Sequence, residues 1–148
     1  MGSESESEDF YEKNINNLKE STSWQERAQS ARRLGDSKSE KAIYPLINAL
    51  NTETDEVVLN RIIEALGKIK SKEATFPIIK ILKRELRKNE EEQDKTRLFL
   101  LIESLMKIGD KRALEHLGLL LDSCVAEIKN LTEKALKCID PNWKTNIK

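Results

Sequence analysis

Apolar residues recur along this chain at intervals of three and four positions, the spacing that places side chains on one face of an α-helix. The pattern also repeats on a longer scale, because residues 31–50 align without a gap with residues 63–82, at an offset of 32. The aligned pairs include Leu34 with Leu66, Gly35 with Gly67, Ala42 with Ala74, Tyr44 with Phe76, Pro45 with Pro77 and Leu50 with Leu82. A period of this length, built from helical signals, predicts stacked helical hairpins.

A third copy follows the second at an offset of 39, which takes Leu66 to Leu105. The seven additional residues fall in the polar stretch 83–92, which we expect to extend one helix beyond the packed layer and then turn. A half copy closes the array, with Leu136 in the place of Leu105 at an offset of 31. Pro141 is expected to end this last helix.

Hydrogen-bonding residues stand at the predicted start of each second helix. Ser39, Ser71 and Asp110 occupy equivalent positions, and their side-chain oxygens can accept hydrogen bonds from the first N–H groups of a helix. Ser23 and Glu26 have the capping-box spacing, in which each side chain accepts from the backbone N–H of the other. The pattern predicts a capping helix over 9–19, repeats over 23–50, 54–89 and 93–121, and a terminal half-repeat over 123–139.

The two ends depart from the repeat. Residues 1–12 carry five acidic side chains and no basic one, and the first eight residues contain almost only Ser and Glu. Such a segment buries no apolar surface, so we expect a disordered acidic tail over 1–8. Residues 141–148 are expected to form a C-terminal tail. The whole chain has a formal net charge of zero, so the part after residue 12 is mildly basic.

Composition narrows the fold and the location. With 148 residues, 5% aromatic residues, five Gly and three Pro, the chain has little material for a turn-rich β fold. No apolar run approaches the ~20 residues that cross a bilayer, and the first twenty residues lack the apolar core of a signal peptide. We therefore expect a cytoplasmic helical protein.

The repeated residues resemble a known family. The run from Glu64 to Ile69, the run from Leu105 to Ala113 and the Ala-x-x-Pro pattern are similar to the HEAT-like repeats named for phycobilisome lyases, over residues 24–139. The first copy departs from that pattern at Arg32, Arg33 and Ser37. The resemblance implies an all-α fold, a right-handed α-α superhelix of about three and a half hairpins. It also implies that the second helices line a concave face that holds another macromolecule.

Side chains of the second helices that point away from the apolar stripe are candidates for binding. Phe76, Lys80, Lys83 and Arg87 share one helical ridge, because they are spaced by four, three and four residues. Rigid aromatic rings beside Arg are typical of strong contacts at protein interfaces. The predicted protein-binding face contains Tyr44, Phe76, Lys80, Lys83, Arg84 and Arg87. The competing interpretation is that both rings belong to the core.

The stretch 80–97 holds seven basic and five acidic residues. One interpretation is a solvated helix extension with local ion pairs. The other is a surface for an acidic partner, either a protein segment or a phosphate backbone. Nucleic acid is the less favoured of the two, because the whole chain is neutral and carries no nucleic-acid-binding motif.

The sequence contains no recognisable catalytic constellation. His116 is the single histidine, and we interpret it as a surface residue rather than a base. Cys124 and Cys138 are expected on one helix about 21 Å apart, too far for a disulfide or a shared metal, and are interpreted as small apolar fillers. The isolated glycines are expected near helix ends. They are Gly35, Gly67 and Gly109.

These observations predict a non-catalytic scaffold or adaptor that binds a protein partner and needs no metal or cofactor. The partner is expected to present an acidic surface, and the chain itself is expected to be a monomer. Two alternatives stay open. The first is a nucleic-acid-binding protein that uses the basic helix of the second repeat, and the second is an accessory subunit of a lyase-type enzyme, which the family resemblance suggests.

Overall fold

The computed structural model describes residues 4–147, and within this range the chain forms nine α-helices and no β-strand. The helices are α1 (Glu4–Glu20), α2 (Trp24–Ser37), α3 (Ile43–Thr52), α4 (Glu56–Ile69), α5 (Thr75–Leu86), α6 (Lys95–Ile108), α7 (Leu114–Gly118), α8 (Ala126–Ile139) and α9 (Trp143–Asn146). Short 3-10 turns lie at Glu40–Ala42, Lys72–Ala74, Glu90–Glu92, Lys111–Ala113 and Leu119–Asp122. The predicted all-α fold is confirmed.

The chain divides into two compact units, unit 1 ending at Ile69 and unit 2 beginning at Lys70. In unit 1, α2 packs against α1 and α4, and α3 packs against α4. In unit 2, α6 packs against α5 and α8, and α7 packs against α8. The first helices of successive copies therefore stack on each other within each unit, which is the packing that the sequence repeat predicts.

The repeated apolar positions are the buried positions. The aligned leucines and alanines are all fully buried: Leu34, Leu66, Leu105, Ala42, Ala74 and Ala113. Burying one leucine side chain stabilises a fold by roughly 1.5–3 kcal/mol, so the repeat supplies the core of both units. The alanines leave room for neighbouring helices to approach closely.

Helical spacing alone does not decide which apolar residue enters the core. On α4, Val57 is exposed, whereas the next residue, Val58, is fully buried. On α1, Tyr11 and Ile15 are half-buried, and Leu18 is buried.

The second helices begin as predicted. Ser39 Oγ accepts from the N–H of Lys41 at 3.2 Å, and Ser71 and Asp110 make the same bond two residues ahead. Each cap opens a 3-10 turn, and the α-helix follows from it. The N–H groups at each helix start are satisfied locally in this way.

The capping box at α2 forms only in part. Ser23 Oγ accepts from the N–H of Glu26 at 3.3 Å, as predicted. The returning bond is different, because the Glu26 carboxylate accepts from the Ser21 hydroxyl, and Ser21 in turn accepts from the Ser23 N–H. Ser21 therefore takes the place expected for Glu26.

The N-terminal helix is longer than the sequence predicts. Residues 1–3 lie outside the described range, whereas residues 4–8, expected to be disordered, belong to α1. Glu8 forms an ion pair with Lys41, with the Oε1–Nζ distance 3.3 Å. This contact favours helix at Glu8, where composition alone predicted a tail.

The C-terminal residues are also structured. α8 ends at Ile139, as Pro141 predicted, but α9 follows within the expected tail. Asp140 links the two helices by accepting from the N–H of Asn142. Ile147 then contacts α7, where a Cβ on Gly118 would lie only 3.3 Å from its Cδ1. The segment therefore belongs to the packed part of unit 2.

The glycines serve two purposes. Gly109 ends α6 in the left-handed conformation, with φ +72°, as predicted. Gly35 and Gly67 instead lie inside helices, and Lys38 takes the left-handed position that ends α2. A Cβ on Gly35 would lie 2.7 Å from Cα of Ala65, so this glycine allows α2 and α4 to approach closely.

Candidate protein-binding face

Helix α5 and Arg87, the residue that follows it, present five of the six predicted contact residues on one exposed side, which we call the α5 face. The opposite side packs into unit 2 through Ile78, Ile79, Ile81 and Leu82. Pro77 lies in the first turn, where its missing N–H is not needed. The exposed residues are Phe76, Lys80, Lys83, Arg84 and Arg87. The ring of Phe76 is 53% exposed, so it is not a core residue.

Tyr44, the sixth predicted residue, lies on α3 in unit 1. Its ring is 63% exposed, and Lys41 and Asn48, one helical turn before and after it, are exposed as well. Both predicted rings are therefore on the surface, and the interpretation of them as core residues is wrong. The α5 face belongs to unit 2.

Arg112 covers part of the Phe76 ring. Its Cζ lies 4.7 Å from the ring centroid, within the range of a cation–π contact. Asp110 Oδ2 accepts from Arg112 Nη2 at 2.6 Å and from Nε at 2.9 Å, and Thr75 Oγ1 donates to the same oxygen at 2.8 Å. Asp110 is 5% exposed and Thr75 fully buried, whereas the Arg112 side chain is 53% exposed. A surface ring is thus linked to buried polar groups.

Asp110 and Arg112 form an ion pair. The Arg112 side chain, with smaller contributions from the Arg112 N–H and Thr75, lowers the pKa of Asp110 to about 2, although burial alone would raise it. Asp110 in turn raises the pKa of Arg112. Both groups are therefore ionised at neutral pH, and the short charge-assisted hydrogen bonds between them fix the orientation of the guanidinium.

Arg112 was not predicted as a site residue, although the sequence carries a signal for it. Arg112 lies two residues after the cap Asp110, and Lys41 lies two residues after the cap Ser39. Lys41 also approaches an aromatic ring, with Nζ 5.6 Å from the centroid of Tyr11. A cation two residues after a helix cap is therefore the signal that could have pointed to Arg112.

The charged stretch continues α5 only as far as Leu86, and the chain then turns at Glu90–Glu92. The predicted helix extension is therefore present but short. Glu85 points inward with 3% exposure. Its carboxylate accepts from the Asp94 N–H at 2.8 Å and lies 3.7 Å from Arg97 Nη1 and 3.1 Å from Lys88 Nζ. The local ion pairs are thus centred on a buried glutamate that stabilises the turn into α6.

The cations of the α5 face differ from those around Glu85. Within residues 4–147, Lys80, Lys83, Arg84 and Arg87 form no ion pair with another described residue, whereas Lys88 and Arg97 both pair with Glu85. The helix dipole favours cations near the C-terminal end of α5, which partly explains why Lys and Arg residues occur there. Their charge is nevertheless uncompensated and exposed beside Phe76.

Other reactive groups are scattered. His116 is half-buried rather than on the surface, and its Nδ1 lies out of solvent contact. Cys124 and Cys138 are both free and exposed, so their interpretation as apolar fillers is wrong. Cys124 precedes α8 and donates its thiol hydrogen to Glu90 Oε1 at 3.0 Å, which raises the pKa of the thiol. Among the described residues, no group of His, Cys, Asp and Glu could hold a metal ion, and no helix is long and apolar enough to span a membrane.

Comparison with known proteins gives the family. The sequence profile of the HEAT repeats matches residues 11–93, more than half of the chain. A solved structure from the complex of CpcE and CpcF of phycocyanin lyase from Nostoc sp. PCC7120 is similar in fold, with a TM-score of 0.73 and 21% sequence identity. The match covers 92% of this chain and 55% of that one, so this chain spans about half the length of its structural neighbour. A sequence search of curated proteins found no match. On the profile match and the helical-hairpin architecture together, the chain belongs to the HEAT repeat family.

Proposed function

We propose that the chain is a non-catalytic scaffold or adaptor that binds a protein partner through the α5 face, with Tyr44 as a further contact in unit 1. The observation that carries this proposal is the exposed ring of Phe76 beside four cations that have no acidic partner in the described part of the chain. A large apolar ring in water is unfavourable, and burial against a partner would remove that cost.

The composition of the α5 face fits the residue preferences of protein interfaces. Aromatic residues and Arg dominate the binding free energy of most interfaces, and charged residues at the rim steer the partner into place. Phe76 has the role of an anchor in this arrangement, and Arg84 and Arg87 extend the contact along the helix. A partner with an acidic surface complements the four cations.

A comparative affinity purification tests the proposal. The wild-type chain and the double variant F76A/R84A are immobilised and exposed to an extract of the native cell, and the bound proteins are quantified by mass spectrometry. The double variant V57A/R33A is the matched control, because it removes an exposed apolar residue and an exposed arginine from unit 1.

We expect at least one protein to bind the wild type and the control and to lose about tenfold or more with F76A/R84A, since each hot-spot contact contributes roughly 1–2 kcal/mol or more. The helical circular dichroism signal should be the same for all three proteins. Equal capture by all three would contradict the α5 face as the binding surface. Capture of nucleic acid with a steep loss of affinity as salt increases would instead favour the nucleic-acid alternative.

The structural neighbour favours a second candidate function, an accessory subunit of a lyase-type enzyme. That neighbour is part of a two-protein complex of phycocyanin lyase, and this chain matches about half of one of its chains. A tetrapyrrole probe distinguishes this candidate. A change in the absorbance spectrum of the tetrapyrrole on mixing with the chain would support it, and an unchanged spectrum would count against it.

A further inference from the structure

Phe76 and Arg112 form a surface whose shape is fixed before any partner arrives. Asp110 Oδ2 accepts from Arg112 Nη2 at 2.6 Å and from Arg112 Nε at 2.9 Å. The buried Thr75 hydroxyl donates to the same oxygen at 2.8 Å. One region of the Phe76 ring is therefore covered by a cation that is itself held in place, while 53% of the residue stays exposed. Association with such a surface requires little ordering of side chains, which favours binding.

The charges around this pair are not uniform. Arg112 is already bound to Asp110, and Glu73 lies near enough to raise the pKa of its guanidinium further, although less than Asp110 does. Beside the start of α5, two carboxylates, Asp110 and Glu73, therefore accompany Arg112, together with the exposed cations Lys72 and Lys111. The uncompensated cations begin one turn later, at Lys80, and continue to Arg87 over about 11 Å of helix at 1.5 Å per residue.

This distribution distinguishes the two ends of the α5 face. An uncharged planar or apolar group fits the Phe76–Arg112 pair, since a carboxylate there would lie close to Asp110 and Glu73. Carboxylates fit the stretch from Lys80 to Arg87. A single-stranded nucleic acid fits less well, because its phosphates would continue past the acidic end and because α5 offers one ring instead of the series of stacking rings that such strands use.

We propose that Arg112 is a specificity-determining residue of the α5 face, which receives an acidic protein segment carrying one aromatic side chain. The aromatic side chain lies on the Phe76–Arg112 pair, and the carboxylates of the segment lie along Lys80, Lys83, Arg84 and Arg87. This inference rests on the proposed function, and it adds the chemistry of the partner and a residue that orders the recognition surface.

Selection from a displayed library of random peptides, each about twelve residues long, tests the inference on the full chain. The enriched peptides are synthesised, and their affinities are measured by fluorescence anisotropy for the wild type and for R112K. The substitution keeps the positive charge but removes the planar guanidinium and its paired hydrogen bonds. R33K is the matched control, an exposed arginine on α2 in unit 1.

We expect enriched peptides that combine several Asp or Glu residues with one Trp, Tyr or Phe, and an affinity about tenfold lower for R112K than for the wild type or R33K. Substituting the aromatic residue of the peptide by Ala should cost the wild type a similar factor and cost R112K much less. Failure to enrich acidic peptides, R112K affinity within twofold of the wild type, or equal affinity for a single-stranded RNA of the same length would each overturn the inference.

The outcome also separates this inference from the proposed function. If F76A/R84A loses the native partner while R112K retains it, the α5 face binds a protein but Arg112 does not determine specificity. If Arg112 has only a structural role, R112K lowers the melting temperature and leaves the peptide affinity unchanged, which also overturns the inference. If neither variant affects the native partner, both proposals fail together.

Discussion

Unit 1 and unit 2 each bring a cation close to an aromatic ring, but the two units hold that cation in different ways. In unit 1, Lys41 lies 5.6 Å from the centroid of Tyr11 and pairs with Glu8 on the surface. The cap beside it, Ser39, is neutral and offers Lys41 no charge. Side-chain hydrogen bonds with Ser37 and Ser39 lower the pKa of Tyr11.

In unit 2, the cation near the aromatic ring is itself held by a carboxylate. Arg112 lies 4.7 Å from the ring centroid and is bound by the buried carboxylate of Asp110. The comparison shows what a buried acid adds. An acidic cap can fix an arginine in one orientation through paired hydrogen bonds, whereas a serine cap leaves a lysine to pair with an exposed side chain and move with it.

The largest expected effect concerns Glu85, another buried acid of unit 2. E85A removes the carboxylate that pairs with the buried Arg97 guanidinium and that accepts from the Asp94 N–H. We expect the free energy of unfolding of unit 2 to fall by about 3–5 kcal/mol, measured by urea denaturation. E8A should change the free energy of unfolding of unit 1 by less than ~0.5 kcal/mol, because the Glu8–Lys41 pair is exposed. A similar loss of unfolding free energy for both variants would contradict the difference expected between a buried and an exposed acid.

The next effect tests whether the two units have equivalent cores despite their different charges. Leu66 in unit 1 and Leu105 in unit 2 are aligned in the repeat, and both are fully buried. L66A and L105A should each cost ~2–5 kcal/mol, since truncation removes apolar contacts and leaves a cavity. Thermal unfolding followed by circular dichroism measures both. A cost well below this range for either variant would contradict the repeat register at that position.

The sequence repeat predicted these cores well, because burial of apolar side chains follows helical spacing and little else. Ser39, Ser71 and Asp110 were likewise predictable, since a helix start needs a nearby acceptor. Glu85 could not be placed in the same way. A glutamate in a charged stretch looks solvated, and only the turn into α6 brings Asp94 and its backbone N–H to it.

In the candidate site, too, the sequence predicts what lies on one helix but not what separate elements bring together. The spacing of Phe76, Lys80 and Arg87 placed them on one exposed ridge, because that depends on a single helix. Arg112 lies 36 residues after Phe76 and approaches it only through packing of separate elements. Periodicity within one helix cannot reveal such a pair. A cation two residues after a cap occurs at Lys41 and Arg112, but the second copy has Glu73 at that position, so the sequence gives only a weak trace of the pair.

A smaller effect sharpens the role of Asp110. Its pKa is lowered to about 2 in the folded chain, against an ordinary value of 3.8. The stability that this shift supplies is therefore present above about pH 4 and is lost as pH falls towards 2. We expect that contribution to be roughly 1–2 kcal/mol, allowing for solvent screening at the half-exposed Arg112.

D110N removes the titrating carboxylate but keeps an oxygen for the cap. Urea unfolding of wild type and D110N at several pH values measures the difference between them, in which the titration of other carboxylates cancels. The wild type should be the more stable above pH 4, and the two proteins should converge near pH 2. A constant difference over this range would mean that the Asp110–Arg112 charge pair does not contribute to stability.

The smallest expected effect comes from transferring the chemistry of unit 2 to unit 1. S39D places a carboxylate at the cap, and K41R places a guanidinium two residues later, as at Asp110 and Arg112. We expect S39D alone to stabilise unit 1 by a few tenths of a kcal/mol, because an acid favours a helix N-terminus. The double variant should gain about 0.5–1 kcal/mol more than the sum of the single variants if the new pair forms. Urea unfolding of all four proteins gives this coupling free energy. Strict additivity would show that an acidic cap and an arginine are not sufficient by themselves, without a buried donor such as the Thr75 hydroxyl that binds Asp110 in unit 2.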